Sequence, residues 1–180
     1  MDHERALTPS AFPGDDGQAN PVTREALDVA SAPTSPADYL RAVALLCLDR
    51  VLVPVVATAT KLAETASTGL TGDKEAEMSV VLLQTRDGRR AMLAFTGLDS
   101  LQAWDASARP VPVTLDLAAQ SAAADGATAL LVDFAGPSPL VIEGEVLAEL
   151  ARGHRLVEVG PDEFGWAMPQ PADSAGPPAE

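Results

Sequence analysis

The chain has 180 residues, 47% hydrophobic and 21% charged, a size that supports one domain with a sizeable core. Its net charge is −14, its pI is about 4.3 and its one basic cluster is Arg86, Arg89 and Arg90; that composition argues against nucleic acid, which demands a basic stripe to displace phosphate counterions. A single cysteine, Cys47, and two histidines, His3 and His154, exclude an intramolecular disulfide framework and a Cys/His zinc pattern.

Residues 1–34 are punctuated by Pro9, Pro13, Gly14, Gly17, Pro21 and Pro33, carry the mutually repelling Asp15-Asp16, and hold only isolated apolar residues. They read as a disordered acidic tail, with Val22 to Ala30 as the stretch able to fold locally on a partner. The start, Met-Asp-His-Glu-Arg, lacks an apolar signal core, and no segment approaches eighteen uninterrupted apolar residues. The expectation is a cytoplasmic protein with no membrane partner.

Ser35-Pro36 opens the first predicted helix, with serine as N-cap and proline in the tolerated first helical position. Asp38 adds an acid where the helix dipole favours one. Tyr39 to Leu48 is mostly apolar, so this helix is buried. Cys47, in its last turn, reads as a small buried hydrophobe. The alternative, a reactive thiol, requires exposure and a cationic neighbour, for which Arg50 is the candidate. Val51 to Ala57 is a β-branched run and hence a strand; Pro54 cannot donate to a ladder and is expected at an edge or a bulge. Residues 58–76, rich in Thr, Ala, Gly and Ser, predict a long surface loop. Gly69 and Gly72 fall short of the Gly-x-x-x-x-Gly-Lys-Ser/Thr phosphate cradle.

Glu77–Thr85 and Arg89–Phe95 predict two strands of a hairpin, with Asp87-Gly88 suited to a type I′ turn. Val80 and Leu82 on one face and Val81 and Leu83 on the other predict a central strand. Thr96 and Asp99 have the spacing of a capping box, and Leu98, Leu101 and Trp104 give the following short helix an apolar face. Pro110 and Pro112 break helix and begin an edge-like strand. An alanine-rich helix follows from Leu115 to Asp125, closed by Gly126. Ala129–Phe134 and Leu140–Ile142 predict strands, Glu145–Arg152 a helix closed by Gly153, and Arg155–Val159 a last strand, with Phe164 and Trp166 docking back. Residues 169–180 read as a disordered Pro-rich tail. The mixed order with one hairpin predicts an α+β fold, a mixed sheet with a β-hairpin flanked by about four helices, forming a single domain over residues 35–168.

Leu52-Val53-Pro54-Val55, Glu77-Met78, Ala94-Phe95-Thr96 with the Leu98–Trp104 helix, Arg109-Pro110-Val111-Pro112-Val113 and Ala129–Pro137, taken in this order and spacing, resemble the N-terminal domain of the SseB-like, or enhanced-serine-sensitivity, family. The resemblance runs from about Tyr39 to Arg152, and members from GC-rich actinobacteria are similar, in keeping with ten arginines against two lysines, Lys61 and Lys74. It implies a link to serine sensitivity in enteric bacteria, but no reaction and no catalytic residue set. The enteric relatives are longer and carry a second, C-terminal domain.

Three functional readings follow. The first is a non-catalytic module with an unidentified protein partner, whose surface is the rim at Phe95, Thr96 and Gly97 with the 58–76 loop and its Lys61 and Lys74; aromatic anchors are what interfaces favour, while core packing is the preferred reading of Phe95 and Trp104 taken alone. The second is a small-metabolite-sensing domain linked to amino-acid stress, which the family's name suggests. The third is an enzyme, using either the Cys47 thiol or a carboxylate pair such as Glu75/Glu77 or Glu143/Glu145. No nucleophile–base–orienter set converges in the sequence, so the enzyme reading ranks last. No catalytic residue, metal ligand or cofactor is expected.

Overall fold

The computed structural model describes residues 12–58, 77–84, 86 and 88–168. In chain order these form α1 (Pro21–Ser31), α2 (Pro36–Leu48), β1 (Arg50–Thr58), β2 (Glu77–Val80), β3 (Leu82–Gln84), β4 (Arg90–Ala94), α3 (Leu98–Trp104), β5 (Arg109–Thr114), α4 (Leu115–Ala124), β6 (Ala129–Val132), β7 (Leu140–Glu143), α5 (Gly144–Ala151), β8 (Arg155–Gly160) and β9 (Glu163–Ala167). The fold is α+β. Strands run in the order β2-β1-β5 and β3-β4-β6-β7, with β4–β6 parallel and the other pairs antiparallel; β8 and β9 form a separate hairpin.

The two larger sheets are stitched together at one point. The Leu52 N–H donates to the Phe95 carbonyl at 2.7 Å, and the Phe95 N–H returns to the Leu52 carbonyl at 2.9 Å. This bridge fixes the parity of β1. Leu52 spends its backbone groups on Phe95, so its pairing with Pro112 on β5 is of the type that exchanges no hydrogen bond, and so is the Pro54–Pro110 pairing two residues on. The missing N–H groups of Pro110 and Pro112 therefore point to the open edge of β5, where proline blunts pairing with another chain. Pro54 sits between the Phe95 bridge and the start of the β2 pairing at Val55, so its absent donor falls in the seam between the sheets.

Side chains alternate across these strands with the two-residue period of a pleated sheet. Val51, Val53, Met92, Ala94, Leu130 and Val132 enter a large core beneath the helices α1, α2, α4 and α5. Leu52, Leu93 and Phe95 face the other way, into a smaller cluster closed by Leu101 with Trp104 packed against it. The Phe95 and Trp104 rings stack with centroids 5.7 Å apart.

Most predicted elements are present, with informative differences. The stretch expected as one central strand breaks at Val81 and serves two sheets, lying at an edge in each order. Its two-faced apolar pattern is real: Val80 and Leu82 pack on the large core and Val81 and Leu83 on the small one. The hairpin joins Gln84 to Arg90, with Gly88 at φ +88° in the connection. A final strand, β9, carries Phe164 and Trp166 back against the core.

The reading of residues 1–34 as a disordered tail fails over Pro21–Ser31. There the Asn20 side chain caps the Val22 N–H at 3.0 Å, Pro21 occupies the first turn, and Thr23, Leu27 and Ala30 form a buried stripe. The prolines and glycines that suggested a tail flank this helix. It is the fifth helix among the described residues, against about four expected. Residues 1–11, nearly all of the predicted 58–76 loop and the 169–180 segment lie outside the described residues.

Phe95 is fully buried and anchors the smaller cluster. Phe95→Ala is expected to cost about 3–5 kcal/mol in urea unfolding, the range for a large aromatic deleted from a core. A loss below about 1 kcal/mol would place the cluster outside the cooperative fold.

Candidate functional site

The corner after β4 is where the sequence concentrates its polar chemistry. Thr96 does not cap α3. That helix has Gly97 at its N-cap, without a side-chain cap. The Thr96 hydroxyl instead donates to Asp133 Oδ2 at 2.6 Å, and its N–H donates to Asp133 Oδ1 at 2.9 Å. Ser100 donates to the same Oδ1 at 2.6 Å. Asp99, the other half of the expected capping box, is drawn outward into a two-pronged pair with Arg24 of α1 at 3.1 and 2.8 Å. Arg24 Nε donates to the Thr96 hydroxyl and lies 3.3 Å from Asp133 Oδ2.

Asp133 is the hub of this network. It is 2% exposed and follows the end of β6 with φ +50°, a left-handed conformation that Asp tolerates better than most residues. Its N–H donates to the Ala94 carbonyl and its carbonyl accepts from Gly136, at 2.9 and 2.7 Å, so the backbone aims the carboxylate at the corner. A carboxylate held this deeply is tolerable because its lone pairs are met by two hydroxyls, a backbone N–H and a guanidinium.

A buried cation lies alongside. Arg50, at the start of β1, is 6% exposed. It grips Asp15 with Nε and Nη2 at 2.7 and 2.9 Å, donates to the Gln18 carbonyl at 2.7 Å, and donates through Nη1 to the Thr96 carbonyl. The Arg50 hydrogen bonds hold the Asp15 carboxyl below its ordinary value of 3.8, against the opposing effect of burial. Residues 12–20 are thereby laid over the corner, and the Leu98 N–H donates to the Gly17 carbonyl at 2.8 Å. Gly97 lies so close beneath that an added Cβ would come within 2.9 Å of the Ala19 nitrogen.

The predicted interaction rim is thus interior. All three residues are buried: Phe95 in the smaller cluster, Thr96 beneath Arg24 of α1, and Gly97 beneath the chain at Ala19. Lys61 and Lys74 lie outside the described residues, as does Glu75. Glu143 and Glu145 are exposed at the β7–α5 junction. Cys47 is buried on α2, and desolvation pushes its thiol up to about 11, so it is protonated at neutral pH. Among the described residues no group of three or more His, Cys, Asp or Glu is placed to hold a metal, and no helix is long and apolar enough to cross a membrane.

The surface that α1 does present is different. Val22, Ala26 and Val29 follow one another at helical spacing and, with Leu45 of α2, line a groove of about 240 Å³. Val22 and Val29 are 56% and 48% exposed. Glu25, Asp38 and Arg41 complete the lining. Arg41 is itself held by Glu158 at 3.0 Å and Asp162 at 2.6 Å, so carboxylates outnumber the cation here.

Neither Arg24 nor Asp133 was singled out by sequence reasoning. Arg24 lies in the expected tail, and Asp133 reads as the end of a strand. The available signal was Asn20-Pro21 ahead of Thr23, Leu27 and Ala30, an N-cap followed by a helical stripe.

The family model of the SseB protein N-terminal domain matches residues 23–149, more than half of the chain. The match begins inside α1, so Arg24, Thr96 and Asp133 all fall within it. No curated protein and no solved structure matches the chain.

Removing the hub carboxylate leaves the buried Thr96 N–H and hydroxyl without their acceptor and takes one partner each from Ser100 and Arg24. Asp133→Ala is expected to cost about 3–5 kcal/mol in equilibrium unfolding, the range for breaking a buried ionic network by removing one partner. Asp133→Asn, which keeps the shape and tolerates the left-handed backbone, is expected to cost less. Equal losses for the two would mean that the carboxylate's charge contributes nothing.

Proposed function

The chain belongs to the SseB family, and on that premise we propose that it is a non-catalytic protein-interaction module whose docking surface is the groove between α1 and α2. The observation that carries this reading is the pair of exposed valines, Val22 and Val29, joined by the half-buried Ala26 and Leu45 into one apolar stripe bordered by carboxylates. An amphipathic helix on a globular protein normally turns such residues inward. Here α1 has two apolar faces, one buried through Leu27 and Ala30 and one open to solvent.

The occupant is a protein segment that places apolar side chains in the groove and lysine or arginine at its flanks. Charge complementarity selects it. Glu25 lines the groove, Asp28 is exposed on the same helix, and Glu158 and Asp162 surround Arg41, in a chain of net charge −14. Such a field steers a basic partner and rejects acidic ones. The protonated, buried Cys47 thiol supports the non-catalytic side of the reading, since a nucleophilic cysteine needs a thiolate and access. A cytoplasmic setting belongs to the same proposal.

Affinity capture from cell lysate tests it, with the full wild-type chain compared with the Val22→Arg, Val29→Arg double variant. Both positions are exposed, so the variant should fold with stability within about 0.5 kcal/mol of wild type. The reading predicts a partner recovered at low salt, weakened by 0.5 M salt, and reduced at least about tenfold by the double variant. Equal recovery by the two chains would reject the groove.

A further inference from the structure

The segment over the Thr96 corner has the relation to its seat that a bound peptide has to a receptor. Residues 12–20 form neither helix nor strand. Their hold on the domain runs through a few directed contacts. The Asp15 carboxylate takes two prongs of Arg50, the Gly17 carbonyl accepts from the Leu98 N–H, and the Gln18 carbonyl accepts from Arg50 Nη2. The turn is internally braced, with the Gly17 N–H donating to Asp15 Oδ1 at 2.9 Å. Gly17 sits at φ +77°, and a Cβ there would come within 2.3 Å of the Leu98 side chain, so the seat selects glycine two residues after the acid.

One part of the seat is fixed by the domain itself: Arg50 Nη1 donates to the Thr96 carbonyl. A guanidinium fixed in this way presents a pre-organised fork for a carboxylate. The seat residues Arg50, Thr96 and Leu98 lie within the family match of 23–149, whereas the segment that fills it precedes that match. An open depression of about 450 Å³ lies beside the segment, bordered on the domain side by Asp49 and Arg50.

We propose that this corner is a peptide-binding site for an acidic turn of the form Asp-x-Gly, and that residues 12–20 are its occupant in cis. The ligand is a partner protein's surface loop presenting a carboxylate and, two residues on, a glycine with an accepting carbonyl. A partner loop gains access by displacing the chain's own segment, which competes at an effective concentration on the order of millimolar. The site uses different residues from the α1–α2 groove and does not rest on the reading proposed for it.

The test uses full-length chains and a fluorescently labelled peptide with the sequence of residues 12–20, read by anisotropy. The wild-type chain, whose seat is filled, should bind the peptide weakly. The Asp15→Ala chain, whose own segment has lost its grip, should bind it at least about tenfold more tightly. A peptide carrying the same alanine should bind neither chain. A second measurement covers failure of the variant to fold. On the wild-type chain, millimolar peptide should speed hydrogen exchange at the Gly17 amide as the resident segment is displaced. Absence of binding to an Asp15→Ala chain with an unchanged circular dichroism spectrum would overturn the proposal. So would equal binding of the alanine peptide, or unchanged exchange at Gly17 under excess peptide. Each would leave the Arg50–Asp15 pair as internal packing alone.

Discussion

The buried Asp133 carboxylate is the constraint on which the corner depends. It comes from the end of β6, yet its partners come from α1, from the turn after β4 and from α3. Three pieces of chain distant in sequence, α1, residues 96–100 and the end of β6, are therefore held by one group. The low dielectric around it strengthens each bond and makes an unmet partner costly, so the arrangement is close to all-or-none. The consequence for the fold is that α1 is fastened to the sheet by charge through Arg24 and by packing through Leu27 and Ala30. The consequence for function is that the Phe95–Thr96–Gly97 rim becomes interior, and the exposed apolar face moves outward onto α1.

The protein is strongly acidic, and several of its few cations clamp parts of the chain to one another. Arg24 and Arg50 face the Thr96 corner, Arg41 ties α2 to the β8–β9 hairpin through Glu158 and Asp162, Arg90 donates to the Asp125 carbonyl at 3.0 Å, and Arg155 meets Asp116 at 3.1 Å. Planar, multiply donating guanidinium groups suit such clamps better than lysine. What remains outside is an excess of carboxylate, which is why a basic, apolar-flanked partner suits the α1–α2 groove.

Much of the fold was legible because its signals are local. The α2 helix follows from Ser35-Pro36 and Asp38, whose carboxylate accepts from the Ser35 N–H at 2.9 Å. The closures at Gly126 and Gly153 follow from the left-handed φ of +70° and +84° that glycine permits. Burial of Cys47 follows from its place among leucines. The errors share one physical cause: each arose where a distant partner overrode a local preference. Thr96 and Asp99 have capping-box spacing, but Asp133 and Arg24 offer them stronger, charge-assisted bonds. Residues 21–31 sit among prolines and glycines, and although Thr23, Leu27 and Ala30 recur at helical spacing, the contacts that hold the helix down, such as the Arg24–Asp133 pair, come from far away in the sequence. Phe95 packs in the smaller cluster, as an apolar aromatic at a strand end should, but nothing local shows that Gly97 leaves room for the chain at Ala19 to lie across the corner.

The central claim is that α1 is an integral part of this domain, locked to it by the Arg24–Asp133 network. Native-state hydrogen exchange of the full chain tests it most directly. The account predicts that the helix-interior amides from Leu27 to Ala30 exchange only through the same global opening that releases Met92 and Leu130 in the core strands, with matching free energies and denaturant dependence. Exchange of the α1 amides at near-unprotected rates while the strands stay closed would contradict it, returning residues 21–31 to the status of a tail and the Thr96 corner to the surface.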